Sequence, residues 1–300
     1  MKSVVITGSS GFVGKNLSSY IDDKYNIVYL SIRYGEKIIL PISSDHIIHL
    51  SGKAHDLKNV SNPSDYYEAN FKLTKQLYDA FLKSDAKKFI FISSVKAAAD
   101  SVEDILTEDH HPNPHTHYGK SKLLAEEYIL SQPLPDGKTY YILRPCMVHG
   151  PGNKGNLNLL YKFVSLGIPY PLAAYDNKRS FLSIDNLCFV IKEILERNDI
   201  QPGIYNVADD QSLSTNHLIK LLSLSLNRNP ILWRVPKFLL ESFSVLGDKL
   251  HLPLNSDRLR KLTDNFVVSN SKIKMALGKK FPVSTIDGIL KTAHSFKKTS

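Results

Sequence analysis

Cysteine is nearly missing from this chain: Cys146 and Cys188 are the only two, with no CxxC pair and no zinc-ligand spacing. That excludes a disulfide framework and a thiolate metal centre. It fits two reduced, buried thiols in a cytoplasmic protein, and no metal is expected. Long apolar runs are missing as well. None approaches the roughly 20 residues that span a bilayer, so no membrane insertion is expected. Residues 1–6 lead straight into a strand pattern, without the basic region and apolar core of a secretion signal. Blocks of like charge are also lacking. The formal net charge is +9, but the Lys and Arg residues are scattered. No basic stripe interleaved with aromatics is visible, so no nucleic-acid partner is expected. The surplus suits a pocket for a multiply anionic small molecule. Internal repeats and low-complexity tracts are absent too.

What remains is ordinary globular composition, with 42% hydrophobic and 22% charged residues. Three hundred residues suit one α/β body with a smaller appended lobe. Short apolar runs at Val4–Ile6, Ile27–Leu30, Ile47–Leu50, Phe89–Ile92 and Tyr140–Leu143 read as strands. Helical spacing separates them, from the glycine turn through Ile21, over Tyr66–Leu82 with Ser64 or Asp65 as cap, and over 118–131. Strand–helix alternation implies parallel pairing with right-handed crossovers, hence a doubly wound sheet. Only about a dozen residues separate the second strand from His46, too few for a full crossover. Lys37–Pro41 has room for a short strand at most, so this side of the sheet reads as trimmed. Beyond Pro145, segments 155–167, 214–226 and 235–250 read as helices of a smaller lobe.

Three local patterns carry chemistry. Gly8-Ser9-Ser10-Gly11-Phe12-Val13-Gly14 lies between a strand and a helix, where glycines admit a pyrophosphate to the positive end of the helix dipole. Tyr118 and Lys122 are four residues apart and share a helix face. An ammonium beside the phenol would lower its pKa and make it an acid–base group near neutrality. Ser93-Ser94 ends a strand, the side on which doubly wound sheets bind ligands. Each pattern alone is matched by a structural alternative: a glycine turn, a solvated Tyr and Lys, a capping serine.

In combination they resemble the extended short-chain dehydrogenase/reductases of the nucleotide-sugar epimerase/dehydratase type. The resemblance extends to His49-Leu50-Ser51-Gly52, Asn70, Leu143-Arg144-Pro145, Val148-His149-Gly150, Arg179-Ser180-Phe181 and Tyr205-Asn206-Val207. It implies a Rossmann-type doubly wound sheet over residues 1–150, with about 178–210 returning to it, and a substrate-binding lobe over most of 151–300. It further implies Tyr118 as catalytic acid–base, with Lys122 tuning it and holding the nicotinamide ribose. Ser94 becomes the substrate-orienting hydroxyl and Asn70 a supporting group. The cofactor would lie on Gly8, Ser10, Gly11, Phe12, Val13 and Gly14, then on Ser31, Arg33, Leu50, Ser51, Gly52 and Lys122. Substrate contacts would come from Ser94, Lys96, Asn156, Arg179 and Arg258 or Arg260, with Lys53, His55 and Lys154 as further candidates. Relatives imply a homodimer through the helices at 66–82 and 118–131.

Ser31 stands where NAD-preferring relatives carry an acidic residue, and Arg33 nearby suits a 2′-phosphate. The expectation is NADP(H), with NAD(H) as the alternative. Val95-Lys96 follow Ser94 where dehydratases of this type carry Asp-Glu, which disfavours dehydration. The runs 91–96, 49–55 and 150–156 further resemble a bacterial surface-polysaccharide subgroup, which implies reduction of a UDP-4-keto-6-deoxy-N-acetylhexosamine, with UDP-hexose 4-epimerisation on bound NAD as the alternative. A silent cofactor-binding scaffold is the remote one.

Overall fold

The computed structural model describes residues 1–36, 38–40, 44–53, 62–153, 155–250 and 255–297. Six strands form one parallel sheet: β1 (Lys2–Thr7), β2 (Tyr25–Leu30), β3 (His46–His49), β4 (Lys88–Ile92), β5 (Thr139–Pro145) and β6 (Gly203–Val207). Their spatial order is β2-β1-β3-β4-β5-β6, all parallel, with the order of connection switching sides between β1 and β3. Register pairs Val4 with His46, Ile48 with Ile90, and Phe91 with Ile142. Val4, Val5, Ile6, Ile47, Ile48 and Phe89–Phe91 are fully buried, as strands covered on both faces must be. β2 is the edge on the trimmed side. Ile38–Leu40 forms no strand, and Lys37 and Pro41 fall outside the described residues.

Helices cover both faces. On one, α1 (Phe12–Ile21) supplies Leu17 and Ile21, which pack with Val4, Ile6, Ile48 and Ile90. On the other, a helix over 63–83, here α2, and α3 (His117–Ser131) cover Val5, Ile47, Phe89 and Phe91. α2 starts at Pro63 under an Asn62 cap, three residues ahead of the expected Tyr66, because proline is pre-set for a first helical turn. It then passes through a π turn at Tyr67–Lys72 before resuming as Leu73–Lys83.

Later helices are α4 (Asn156–Ser165), α5 (Ile184–Glu196), α6 (Thr215–Ser225), α7 (Lys237–Leu250), α8 (Ser256–Thr263), α9 (Ser271–Leu277) and α10 (Thr285–Lys297). α5 and α9 join the core around β1 and β6 through Leu187, Ile191, Ile273 and Leu277. α4, α6, α7, α8 and α10 share a second apolar cluster built on Leu157, Leu218, Leu222, Leu240, Leu259 and Ile289. Two lysines, Lys88 buried and Lys138 half-buried, tie helix ends to the sheet. Lys88 Nζ donates to the carbonyls of Ile194 and Leu195 at the end of α5. Lys138 does the same for Phe81, Ser84 and Ala86 after α2, a favourable place for cations. Cys146 and Cys188 are both buried and unpaired.

Candidate active site

The glycine loop packs directly on the end of β3. Gly8 has φ +71, and a Cβ there would lie 2.7 Å from the Ser51 amide nitrogen. Gly14 meets the loop from below, its would-be Cβ 2.4 Å from the Gly8 carbonyl oxygen. α1 opens at Gly11 without a side-chain cap, so the first-turn amides face outward at its positive end. Ser10 and Gly11 are exposed, while Phe12 and Val13 pack partly into the core below. A phosphate-bearing cofactor fits this donor set.

Behind the loop runs a line of buried hydrogen bonds. Thr74 Oγ1 donates to the Asn70 carbonyl at 2.7 Å, so it accepts from His49 Nε2 at 2.9 Å. His49 Nδ1 is then the acceptor for the Thr7 hydroxyl at 2.7 Å, and Thr7 Oγ1 in turn receives the Ser51 amide at 3.3 Å. Burial, with Lys122 adding to it, pushes the imidazole down to about 3, so it stays neutral in this tautomer. His49 thereby links the glycine-loop end of β1 to α2. The sequence motif contained this histidine, but no local pattern assigned it that part.

The line ends at Asn70, fully buried inside the π turn. Such turns insert an extra residue and re-aim the side chains around it. Asn70 Oδ1 accepts the Lys53 amide at 2.8 Å, while Nδ2 donates to the Lys53 carbonyl and to Ser121 Oγ at 3.0 Å. Ser121 donates to the Tyr118 carbonyl at 2.8 Å, which ties Asn70 to the start of α3. Gly52 sits where these groups meet. A Cβ on it would stand 2.7 Å from Asn70 Oδ1 and 3.2 Å from Lys122 Nζ.

α3 reaches this point because Gly119 lies against the loop after β4, its would-be Cβ 2.4 Å from the Lys96 carbonyl oxygen. Tyr118 is half-buried, edge-on to Tyr66 at 6.3 Å, and hydrogen-bonded to the Ser94 side chain. Ser94 Oγ also accepts the Lys96 amide at 3.2 Å. Lys122 Nζ donates to the Ile92 carbonyl at 2.9 Å and lies 4.7 Å from the centre of the Phe91 ring. Burial pushes its ammonium down to about 8. The phenol departs from the sequence expectation. Burial raises the Tyr118 pKa, against a smaller opposing pull from the Ser94 bond, while Lys122 is held to the end of β4.

Glu126, one turn beyond Lys122, forms a buried pair with Arg144 of β5, with Nε to Oε1 at 3.0 Å, and also receives the Ser93 hydroxyl. This pair braces α3 against β5 directly behind Ser94. The sequence reading quoted Arg144 only as part of a motif and passed over Glu126.

The expected substrate residues separate into groups. Arg179 and Asn156 line one cavity of about 510 Å³, together with Lys261, Leu160, Phe163 and Tyr170. Burial lowers the Arg179 pKa, and its guanidinium donates to the carbonyls of Asp264 and Lys261. Lys261, not singled out in the sequence, is the second cation of this cavity. Arg258 and Arg260 lie exposed on the same helix. Lys96 Nζ donates to the Asp100 carbonyl at 2.8 Å and faces the Phe266 ring. Lys53 pairs with Asp65 at 2.6 Å. Ser31 and Arg33 are both exposed just beyond β2. His55 and Lys154 fall outside the described residues. Among the described residues, no cluster of His, Cys, Asp and Glu suited to a metal ion is present.

Comparison with known proteins gives the family and the fold. The model of the NAD dependent epimerase/dehydratase family matches residues 4–208. UDP-glucose 4-epimerase of Vibrio cholerae is 31% identical, covering 98% of this chain and 95% of its own length. N-acetyl-alpha-D-glucosaminyl-diphospho-ditrans,octacis-undecaprenol 4-epimerase of Escherichia coli O157:H7 is 29% identical over 75% of this chain and 73% of its own. RMD from Pseudomonas aeruginosa, solved with NADPH, has the same fold, with a TM-score of 0.74, 20% identity and full coverage of both chains.

Proposed function

The chain belongs to the NAD-dependent epimerase/dehydratase family, and on that premise we propose that it moves a hydride between a nicotinamide cofactor and C4 of a nucleotide-linked sugar. The observation that carries this reading is the meeting of Asn70 Oδ1 and Lys122 Nζ at Gly52, with the Ser94–Tyr118 pair alongside. The glycine loop and the open end of α1 hold the cofactor phosphates, and Lys122 holds the nicotinamide ribose. Ser31 and Arg33, with no carboxylate at the end of β2, favour a 2′-phosphate and hence NADP(H). The bound cofactor supplies the hydride. Ser94 orients the sugar oxygen and Tyr118 Oη passes a proton to it. Arg179 and Lys261 meet the diphosphate that nucleotide- and polyprenol-linked sugars share.

Reduction of a UDP-4-keto-6-deoxy-N-acetylhexosamine is the direction favoured here. A cofactor of the NADP(H) type, spent once per turnover, suits net reduction, and Tyr118 gives its proton to the developing alkoxide. The second reading, 4-epimerisation, draws on the full-length similarity to the Vibrio cholerae epimerase. Incubation with UDP-4-keto-6-deoxy-N-acetylglucosamine and NADPH, followed at the absorbance of the reduced nicotinamide, separates the two. Cofactor oxidation matched by loss of ketone supports reduction. No oxidation, but interconversion of UDP-hexoses, establishes epimerisation. Absence of both reactions overturns hydride chemistry at this site.

A further inference from the structure

α7 wears its apolar side outward. The stripe it buries is Leu240, Ser244 and Gly247, two of them small. Leu239, Phe243, Leu246 and Leu250, spaced as one continuous helical stripe, are exposed, as are Phe238 and Val245. Phe238 is 65% exposed and Phe243 60%. Trp233, four residues ahead of the helix, is 58% exposed. An ordinary surface helix buries such residues, and an exposed patch of this kind marks a binding surface.

We propose that this face docks the enzyme on an anionic lipid surface. Charge decides between occupants. Across residues 228–261, seven Lys and Arg stand against three Asp and Glu. Arg234, Lys237, Lys249, Arg258 and Arg260 are all exposed. Both α7 carboxylates bond to neighbouring protein groups, Glu241 to the Tyr175 hydroxyl and Asp248 to Ser256. A second copy of the chain would bring one net-positive surface against another. Anionic headgroups instead attract the basic residues while the aromatic and aliphatic side chains enter the interface.

The helix lies on the surface and does not cross it. Its 14 residues extend about 21 Å, short of a hydrocarbon core of about 30 Å. No helix among the described residues is long and apolar enough to span a membrane.

The full chain should co-sediment with vesicles of phosphatidylglycerol and phosphatidylethanolamine, less so at high salt, and poorly with phosphatidylcholine alone. Trp233 is the only tryptophan and lies exposed four residues ahead of α7, so docking of this region should move its emission to shorter wavelength with anionic vesicles. Phe243→Glu with Leu246→Glu should lower the bound-to-free ratio at least about tenfold, with turnover and melting temperature unchanged. Lys237→Glu with Lys249→Glu, which keeps the apolar stripe, should weaken binding to anionic vesicles as well. An unmoved Trp233 emission at saturating lipid overturns the proposal. So does undiminished binding by both double variants. So does a wild-type dimer that ignores vesicles and falls to monomer in the first double variant, which would make a second copy the occupant.

Discussion

Gly52→Ala perturbs the proposed chemistry at a single point. The Gly52 backbone lies outside the left-handed region, so alanine acts through contact and not through strain. Its methyl carbon would fall 2.7 Å from Asn70 Oδ1 and 3.2 Å from Lys122 Nζ, well inside the optimum of about 3.5–4.0 Å for nonbonded atoms. Gly52 is exposed, so either its loop retreats toward solvent or Asn70 gives way. Each escape breaks the 2.8 Å bond between the Lys53 amide and Asn70 Oδ1. Losing that bond costs about 1–2 kcal/mol, or a melting temperature lower by roughly 2–8 °C. Catalysis should suffer more, because misplacing a reacting group by about an ångström costs on the order of 100-fold. The expectation is a fall in kcat/KM of about 10- to 100-fold, most of it in kcat. Steady-state turnover and a melting curve on the same preparation measure both. Activity within about twofold of wild type, despite a lowered melting temperature, would refute the place given to Asn70 and Lys122.

Tyr118→Phe keeps the ring and removes the proton. Turnover should fall at least about 100-fold while cofactor titration stays unchanged, and near-normal turnover would remove Tyr118 from the mechanism. Lys122, held at about 8 instead of 10.5, binds fewer protons folded than unfolded between those values, so its penalty on stability fades as pH rises. The stability of wild type relative to Lys122→Met should therefore improve by about 2 kcal/mol from pH 8 to 10, measured by denaturant titration. A pH-independent difference would show that the ammonium is not desolvated. Glu126→Ala leaves Arg144 as an unpaired buried cation and should cost about 3–5 kcal/mol in the same titration, whereas wild-type stability would contradict the bracing assigned to the pair.

The sheet and most helices were legible because local signals agreed with tertiary demand. Runs such as Val4–Ile6 and Phe89–Ile92 are apolar at every position, and strands covered on both faces require that. The short span before His46 correctly indicated a sheet that ends at β2. Tyr118 and Lys122 were readable as helix neighbours, but their electrostatics were not. Spacing places an ammonium near a phenol, whereas the Ile92 carbonyl, distant in sequence, decides where that ammonium points. Asn70 shows the same limit. Its residue type marked it, yet the π turn that aims it depends on Thr74, His49 and Thr7 meeting across three elements.

α7 shows the same limit over a whole helix. The periodicity of 235–250 predicts a helix, and the structure has one at Lys237–Leu250. Periodicity groups residues into stripes but assigns no stripe to the interior, and the usual assumption sends the larger apolar one inward. Here Gly247 and Ser244 face the lobe, so the helix sits close against its neighbours and the bulky stripe is left outside. Turning the helix to bury Phe243 and Leu246 would require the lobe to admit two large side chains where it now receives a glycine and a serine. Interiors packed to crystal-like density resist that exchange. The outward stripe is therefore set by the fit of the small residues, and only packing against the rest of the chain reveals it.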